Sequence, residues 1–414
     1  MKELYDSFEG QAFINDMDIM NKIIEGFIRW SNNFGDIKSD GEKLEEYIKH
    51  GIEFSKIYYR LSAFCNLTIS VESKNDIALK YLEIIENKVT DLVEPTAKLA
   101  KWIGSIENLD SVIETSEVLK EHRFYLKDIQ RKSKYILSEK EEVIIAKMKN
   151  SGSNAWSKLR NVLTSNLLVD IEIDGENKML PLTVIRNMAY DQDGGLRKKA
   201  YFAELASYKK IEDFVAACPN GIKGEVLTID KLRGFSSPLE ETLINSRMDF
   251  KTLEAMFQAI KESLPIFRKF YLKKAELLGH KNGLPFYDLF APLGEYNKKY
   301  SYEEAKDFIV RNLRTFSDKL ADFAVKAFDN GWIDAEPREG KVGGAFCDNL
   351  FCIGESRIMA NFSGNFNDVI TLAHELGHGY HGECLMKQSL LNTDYPMPIA
   401  ETASTFCETI VKKA

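Results

Sequence analysis

Residues 368–380 read DVITLAHELGHGY, and the five at the centre, His374-Glu375-Leu376-Gly377-His378, spell HExxH. Two histidines at i and i+4 on a helix share one face, a turn apart, so both rings can reach one metal ion. Glu375 lies between them, a carboxylate placed to take a proton from metal-activated water. The stretch also supplies the helix this chemistry needs. Val369, Leu372, Leu376 and Tyr380 form an apolar stripe at helical spacing, and Asn365, Asn367 and Asp368 suit its start as capping residues. The alternative is a pair of solvated histidines on a surface helix. Three of the chain's 6 histidines (His374, His378, His381) fall in this short segment, which weighs against that alternative.

A catalytic zinc takes three protein ligands and keeps one position open. His381 is a turn beyond His378, but its Cα lies about 10 Å along the axis from that of His374, too far for one ion to bind all three from a straight helix. The pattern with Gly three and His six residues after the second histidine fails, because His381 and Cys384 stand there. Glu401, within Ile399-Ala-Glu-Thr-Ala-Ser404, is far enough along for the chain to turn back and bring a second helix alongside. A His₂Glu set is an established catalytic zinc arrangement, so Glu401 is the expected third ligand; an ordinary surface carboxylate is the other reading. Glu408 lies two turns further on the same face, suited to accept the free N–H of a ligand histidine, or simply solvated. His381 lines the helix near the site or faces solvent.

The 414 residues are 44% apolar and 29% charged, the balance of a soluble globular protein, with a net charge of −8 and no basic patch for nucleic acid. The start, MKELYDSFEGQAF, lacks the apolar core of an export signal, and no run reaches the length of a membrane span. Cytoplasm is the expected location, with neither nucleic acid nor membrane as partner. The six cysteines (65, 218, 347, 352, 384, 407) include no CxxC pair and read as free buried thiols.

Only 10 prolines and long Leu/Ile/Lys/Glu-rich segments predict a mainly helical chain. Helices are expected over 12–32, 40–70, 74–103, 110–131, 138–164, 184–231, 240–247, 250–278 and 302–330. Alternation around Asp174-Gly175 predicts a hairpin over 167–182. Lys341-Val-Gly-Gly-Ala-Phe346 implies a backbone that bends sharply or approaches something closely. Residues 356–362 fit a strand just upstream of the histidine helix. An exposed strand edge can pair with an extended peptide. On that reading Gly343, Gly344, Ala345, Arg357, Met359 and Asn361 are candidate substrate contacts. On pattern alone, a plain structural strand behind a glycine turn is the simpler reading.

With these residues in view, the chain resembles the oligoendopeptidase F-type metallopeptidases, in the thimet-oligopeptidase-like group of zinc peptidases. The resemblance rests on TLAHELGHGYH (371–381), IAETASTFCE (399–408) and GGAFC (343–347) leading into ESRIMANFSG (355–364), with weaker support from LRGFSSPL (232–239) and PFYDLFAP (285–292). It spans most of the chain, and its last third is the specific part. It implies a mainly α, two-lobed fold around a deep substrate channel, with a small β-sheet near the zinc site. An N-terminal helical region over 1–165 and a catalytic region over 166–414 are expected. The resemblance further implies one zinc ion per chain, held by His374, His378 and Glu401, with Glu375 as general base. The implied substrates are short peptides cut at internal bonds, with folded proteins excluded. The sequence departs from the pattern at its end: members continue with a helical segment bearing the His and Tyr side chains that stabilise the oxyanion, whereas this one stops at Ala414. The expectation is a C-terminally incomplete zinc endopeptidase. The alternative is a truncated, catalytically impaired zinc- or peptide-binding fragment, or one half of a split peptidase.

Overall fold

Ser39, Ser138 and Ser301 each open a helix in the same way. The hydroxyl accepts from the backbone N–H three residues on, and the glutamate there (Glu42, Glu141, Glu304) accepts from the serine's own N–H. Such reciprocal caps satisfy donors that a helix start otherwise leaves unpaired. The computed structural model describes residues 1–36, 39–294 and 298–414, and helix makes up 70% of it.

Apolar spacing then decides which helix faces are buried. Phe13, Met20 and Ile24 of helix Gln11–Asn32 meet Leu61, Phe64 and Leu67 of helix Asp40–Val71. Tyr47, Leu99, Ile103 and Leu126 form a second core beneath them. Five expected helices are interrupted: 138–164 divides at Gly152, 184–231 becomes Leu182–Asn187, Gly194–Tyr208 and Glu212–Arg233, and three others break as follows. The 74–103 segment breaks at a 3-10 turn, Thr90–Leu92, just ahead of Pro95. The 110–131 segment divides into Leu109–Ile113, Glu117–Glu121 and Arg123–Lys132. The 302–330 segment becomes Tyr302–Arg314 and Asp318–Asp329, where the Ser317 hydroxyl accepts from the Leu320 N–H and starts a fresh helix. Short polar side chains compete locally with the i→i−4 ladder, a choice that apolar periodicity does not record.

The expected hairpin is present: β1 (Leu168–Ile173) pairs antiparallel with β2 (Glu176–Pro181), and Asp174 and Gly175 turn at φ 56° and 79°. A second sheet has the order β3–β5–β4, from β3 (Ile333–Asp334), β4 (Phe346–Leu350) and β5 (Glu355–Met359). Here the edge-strand expectation for 356–362 is corrected. β5 is the central strand, paired with β4 on one side and parallel to β3 on the other. Beyond it, Ala360 and Phe362 donate to the carbonyls of Asp334 and Ala335. Both edges of β5 itself are therefore occupied. The sheet ends at β4, directly after the Gly343-Gly344 turn; its sequence, FCDNL, lacks the alternation that marks a half-buried strand.

Lys341 fixes this region. Its side chain is fully buried, and Nζ donates to the Asp334 carboxylate (2.7 Å) and to the carbonyls of Asp334, Glu336 and Ala360. The adjoining backbone bonds to the amino-terminal helices: Ser73 donates to Gly340, and Val342 donates to Ser70. Leu350 of β4 extends into the core of Phe13 and Phe64. Burial pushes the Asp334 carboxyl up, but Arg338 and Lys341 outweigh it and hold the group at about 2. A depressed carboxyl contributes stability above its unfolded pKa, near 4. We therefore expect the stability difference between wild type and Asp334→Asn to be full above pH 5, to shrink from about pH 4 and to vanish near pH 2. Urea titrations across that range measure it.

Helices Tyr302–Arg314 and Asp318–Asp329 pack with Phe366–Leu385 (the histidine helix) and Met397–Lys412 (the glutamate helix) around Ile309, Leu313, Phe323, Leu372, Leu376 and Val411. All six cysteines are free; Cys65, Cys218 and Cys407 are buried as expected, but Cys347 and Cys352 are only half-buried and Cys384 is exposed. No described helix is long and apolar enough to cross a membrane.

Candidate metal centre

Asn365 starts the histidine helix as an N-cap. Its side chain accepts from the Asp368 N–H (3.0 Å), and Asp368 accepts from the N–H groups of Ser363 (2.7 Å) and Asn365 (3.2 Å). Val369, Leu372 and Leu376 are fully buried, and Tyr380 packs against the same core. This anchoring turns the histidine face toward the glutamate helix.

The two helices cross at Gly377. A Cβ there would lie 2.7 Å from both the Ala403 carbonyl oxygen and the Ser404 Cα, so only glycine allows this approach. The crossing brings Glu401 to the histidines. The Nε2 atoms of His374 and His378 are 3.1 Å apart, and Glu401 Oε2 is 3.2 and 3.5 Å from them. Donors about 2.0–2.1 Å from a tetrahedral zinc stand about 3.4 Å from one another, so the triangle fits that ion. His374, His378 and Glu401 form the ligand-capable cluster found among the described residues.

Surrounding groups orient these donors. His374 Nδ1 is 2.6 Å from Glu408 Oε1; with its proton directed there, Nε2 keeps its lone pair for a metal. Burial opposes the charge on Glu408, but Lys412 and His374 hold its carboxyl below the usual range. Ser404, missed in the sequence, donates to Glu401 Oε2 at 2.8 Å. Its position one turn past Glu401 is the only sequence signal it carries. Burial lowers the pKa of His378, favouring the neutral ring that a metal requires. His381 stands outside the triangle, its ring stacked on Tyr395 at 4.4 Å. An outer-shell partner typically contributes 10–100-fold to metal affinity. Glu408→Gln is expected to weaken zinc binding within that range, read by competition with a chromophoric chelator.

Glu375 is 4% exposed, and its Oε2 has no hydrogen-bond partner. Burial pushes its carboxyl up to about 7, opposed by His374 and assisted by Glu401. A base of that strength exchanges protons efficiently near neutral pH.

Glu375 and His374 line a cleft of about 1470 Å³, larger than a typical small-molecule pocket. Of the candidate substrate contacts, Gly343, Gly344, Ala345 and Asn361 line it. Asn361 Nδ2 donates to the carbonyls of Val342 (3.1 Å) and Gly344 (2.8 Å), bracing the turn in which Gly344 takes φ 85°. Arg357 and Met359 do not line the cleft. Both are buried, and Arg357 pairs with Glu3 and Glu355. They are corrected as direct contacts: both lie within the central strand and are covered by the fold, whereas Asn361 lies past the end of β5, where the cleft begins. The sequence also missed Thr183, Tyr190 and Phe290 on the cleft wall. They come from separate segments with no shared local pattern.

Residues 105–167 match the Oligopeptidase F family, and residues 187–414 match peptidase family M3. Oligopeptidase PepF of Bacillus subtilis (strain 168) is 24% identical over 418 residues, covering 99% of this chain and 61% of that protein. An oligoendopeptidase F homolog of Lactococcus lactis subsp. lactis (strain IL1403) is 26% identical, covering 75% of this chain and 50% of its own length. The chain thus spans between half and about three-fifths of these relatives. The fold matches that of oligoendopeptidase-F from Enterococcus faecium (TM-score 0.66, 17% identity, 96% of this chain and 67% of that one). It also matches PZ peptidase A crystallised with an inhibitor (TM-score 0.75, 14% identity, 98% and 69%). The M3 match runs over more than half of the sequence and through both the histidine and the glutamate helix, and by it the chain belongs to peptidase family M3.

Proposed function

We propose that the chain carries the zinc centre and proton-transfer base of an oligoendopeptidase, cutting internal bonds of short peptides. The observation that carries this reading is the three-donor triangle of His374, His378 and Glu401 beside the unpartnered Oε2 of Glu375. With a divalent cation bound, the site gains a Lewis acid that polarises the scissile carbonyl and lowers the pKa of water. Glu375 accepts the proton of the attacking water and passes it to the leaving amine. Glu408 and Ser404 hold the donors in place. The free edge of β4 and the Gly343–Ala345 turn align an extended peptide by strand addition, with Asn361 fixing the turn. The cleft walls admit a peptide chain and exclude folded proteins.

The test is elemental analysis combined with hydrolysis of a quenched-fluorescent peptide. The expected result is one zinc per chain, activity lost with a chelator and restored by zinc, and zinc content lost in His378→Ala and Glu401→Ala. Cleavage that resists the chelator overturns the proposal. A second reading draws support from the partial span of the relatives: a zinc- and peptide-binding unit without turnover. It predicts stoichiometric zinc and saturable peptide binding with no cleavage.

A further inference from the structure

Asn349 stands one residue before the end of β4, and its side chain leaves the sheet for the histidine helix. Its Nδ2 donates to the His378 carbonyl (3.4 Å), and its Oδ1 accepts from the hydroxyl of Ser356 (2.8 Å), the residue opposite it on β5. The carboxamide lies over Gly382, one turn past His378. A Cβ on Gly382 would stand 2.1 Å from Oδ1, 2.2 Å from Cγ and 2.7 Å from Nδ2. Gly382 and Ser356 are both buried. The bare glycine is thus a notch that the carboxamide fills, and a methyl group there would expel it. Through this notch β4 is keyed to the helix that carries His374 and His378.

The backbone of the same residue faces elsewhere. Ile358 and Ala360 donate to the carbonyls of Trp332 and Asp334, on the β3 side. Arg357 and Met359 therefore turn their backbone groups to β4, where they oppose Asp348 and Phe346. The direction alternates along an antiparallel pair, which leaves the backbone of Cys347 and the N–H of Asn349 on the outer edge. The Asn349 carbonyl is already used, accepting from the Phe351 N–H (3.1 Å). Side chains of Cys347 and Asn349 share the face toward the histidine helix. Burial, and then the charge of nearby Glu375, raises the Cys347 thiol, which puts that residue beside the base. The strand advances about 6.6 Å from Cys347 to Asn349, and the helix about 4.5 Å from Glu375 to His378. Strand and helix run side by side, with Cys347 level with the base and Asn349 level with the second histidine.

We infer that Asn349 is a positioning residue, holding the outer edge of β4 at a fixed distance from the metal donors. This rests on the reading of that edge as the place where a peptide adds as a strand. Such a peptide has to satisfy backbone pairing and metal coordination at once, and a misplacement of about 1 Å can cost about a hundredfold. Asn349 meets that demand because one residue offers its N–H to the peptide and its carboxamide to the metal-site helix.

The probes are two peptides of one sequence, one plain and one with a phosphinic group in place of the scissile amide, together with acetohydroxamate, which offers a metal ligand without a peptide. Each is titrated calorimetrically into the zinc-loaded chain. Wild type is expected to bind the phosphinic peptide more tightly than the plain one. In Asn349→Ala that preference is expected to fall at least tenfold, with zinc content, acetohydroxamate affinity and plain-peptide affinity close to wild type. Gly382→Ala, which fills the notch and leaves Asn349 in the sequence, is expected to show the same loss. Ser356→Ala removes a single hydrogen bond from the carboxamide and is expected to show a smaller loss in the same direction. Unchanged preference in all three variants overturns the inference. So does an equal loss for both peptides, which marks a merely structural role. A wild type with no preference for the phosphinic peptide refutes the zinc-peptidase reading before any variant is compared, and the inference falls with it.

Discussion

Exchange of Glu375 for glutamine is expected to lower the rate of peptide hydrolysis by about 10²–10⁴-fold, the range for removing a general acid–base group, and to leave the zinc content unchanged. Glutamine keeps the shape and burial of the side chain but cannot take up a proton. The buried Oε2 has no partner in the fold, so the carboxylate gives the folded chain no compensating hydrogen bond there. Burying a charge without a partner costs free energy. The metal-free variant is accordingly expected to be at least as stable as wild type in thermal unfolding. A glutamine variant that keeps full activity would remove Glu375 from the mechanism. One that loses zinc along with activity would show a structural role instead.

The second large effect is expected at Gly377. Helix propensity alone says that Gly→Ala in a helix interior stabilises by about 1 kcal/mol. At Gly377 the added methyl meets backbone, 2.7 Å from the Ala403 oxygen and the Ser404 Cα. Backbone cannot rotate away, so the glutamate helix must retreat. Overpacking of this kind costs about 1–3 kcal/mol, which outweighs the propensity gain. The retreat also draws Glu401 from the histidines, because Ser404 and Glu401 are one turn apart on the displaced segment. Gly377→Ala is therefore expected to lower the melting temperature and to weaken zinc binding by at least tenfold. Gly26, also helical, has nothing within 4 Å of a built Cβ; Gly26→Ala should be neutral or mildly stabilising. Equal behaviour of the two variants in calorimetry and zinc titration would refute the close-crossing argument.

The sequence alone determined what is local. HExxH placed two imidazoles and a carboxylate on one turn because helical spacing is fixed. Asn365, the apolar stripe and Asp174-Gly175 declared a helix start, a buried face and a hairpin, each set by side chains within a few residues. Glu401 and Glu408 could be nominated from spacing and family resemblance, but nothing local required them to meet His374. The tertiary structure decided that convergence, through a crossing that only Gly377 permits. It also decided that β5 is central and β4 the edge, which put Arg357 and Met359 inside the fold and left Gly343, Gly344, Ala345 and Asn361 on the cleft. Strand order, helix approach and the aim of Ser404 depend on which distant surfaces bury one another. That is a property of the packed chain, and one-dimensional periodicity holds no record of it.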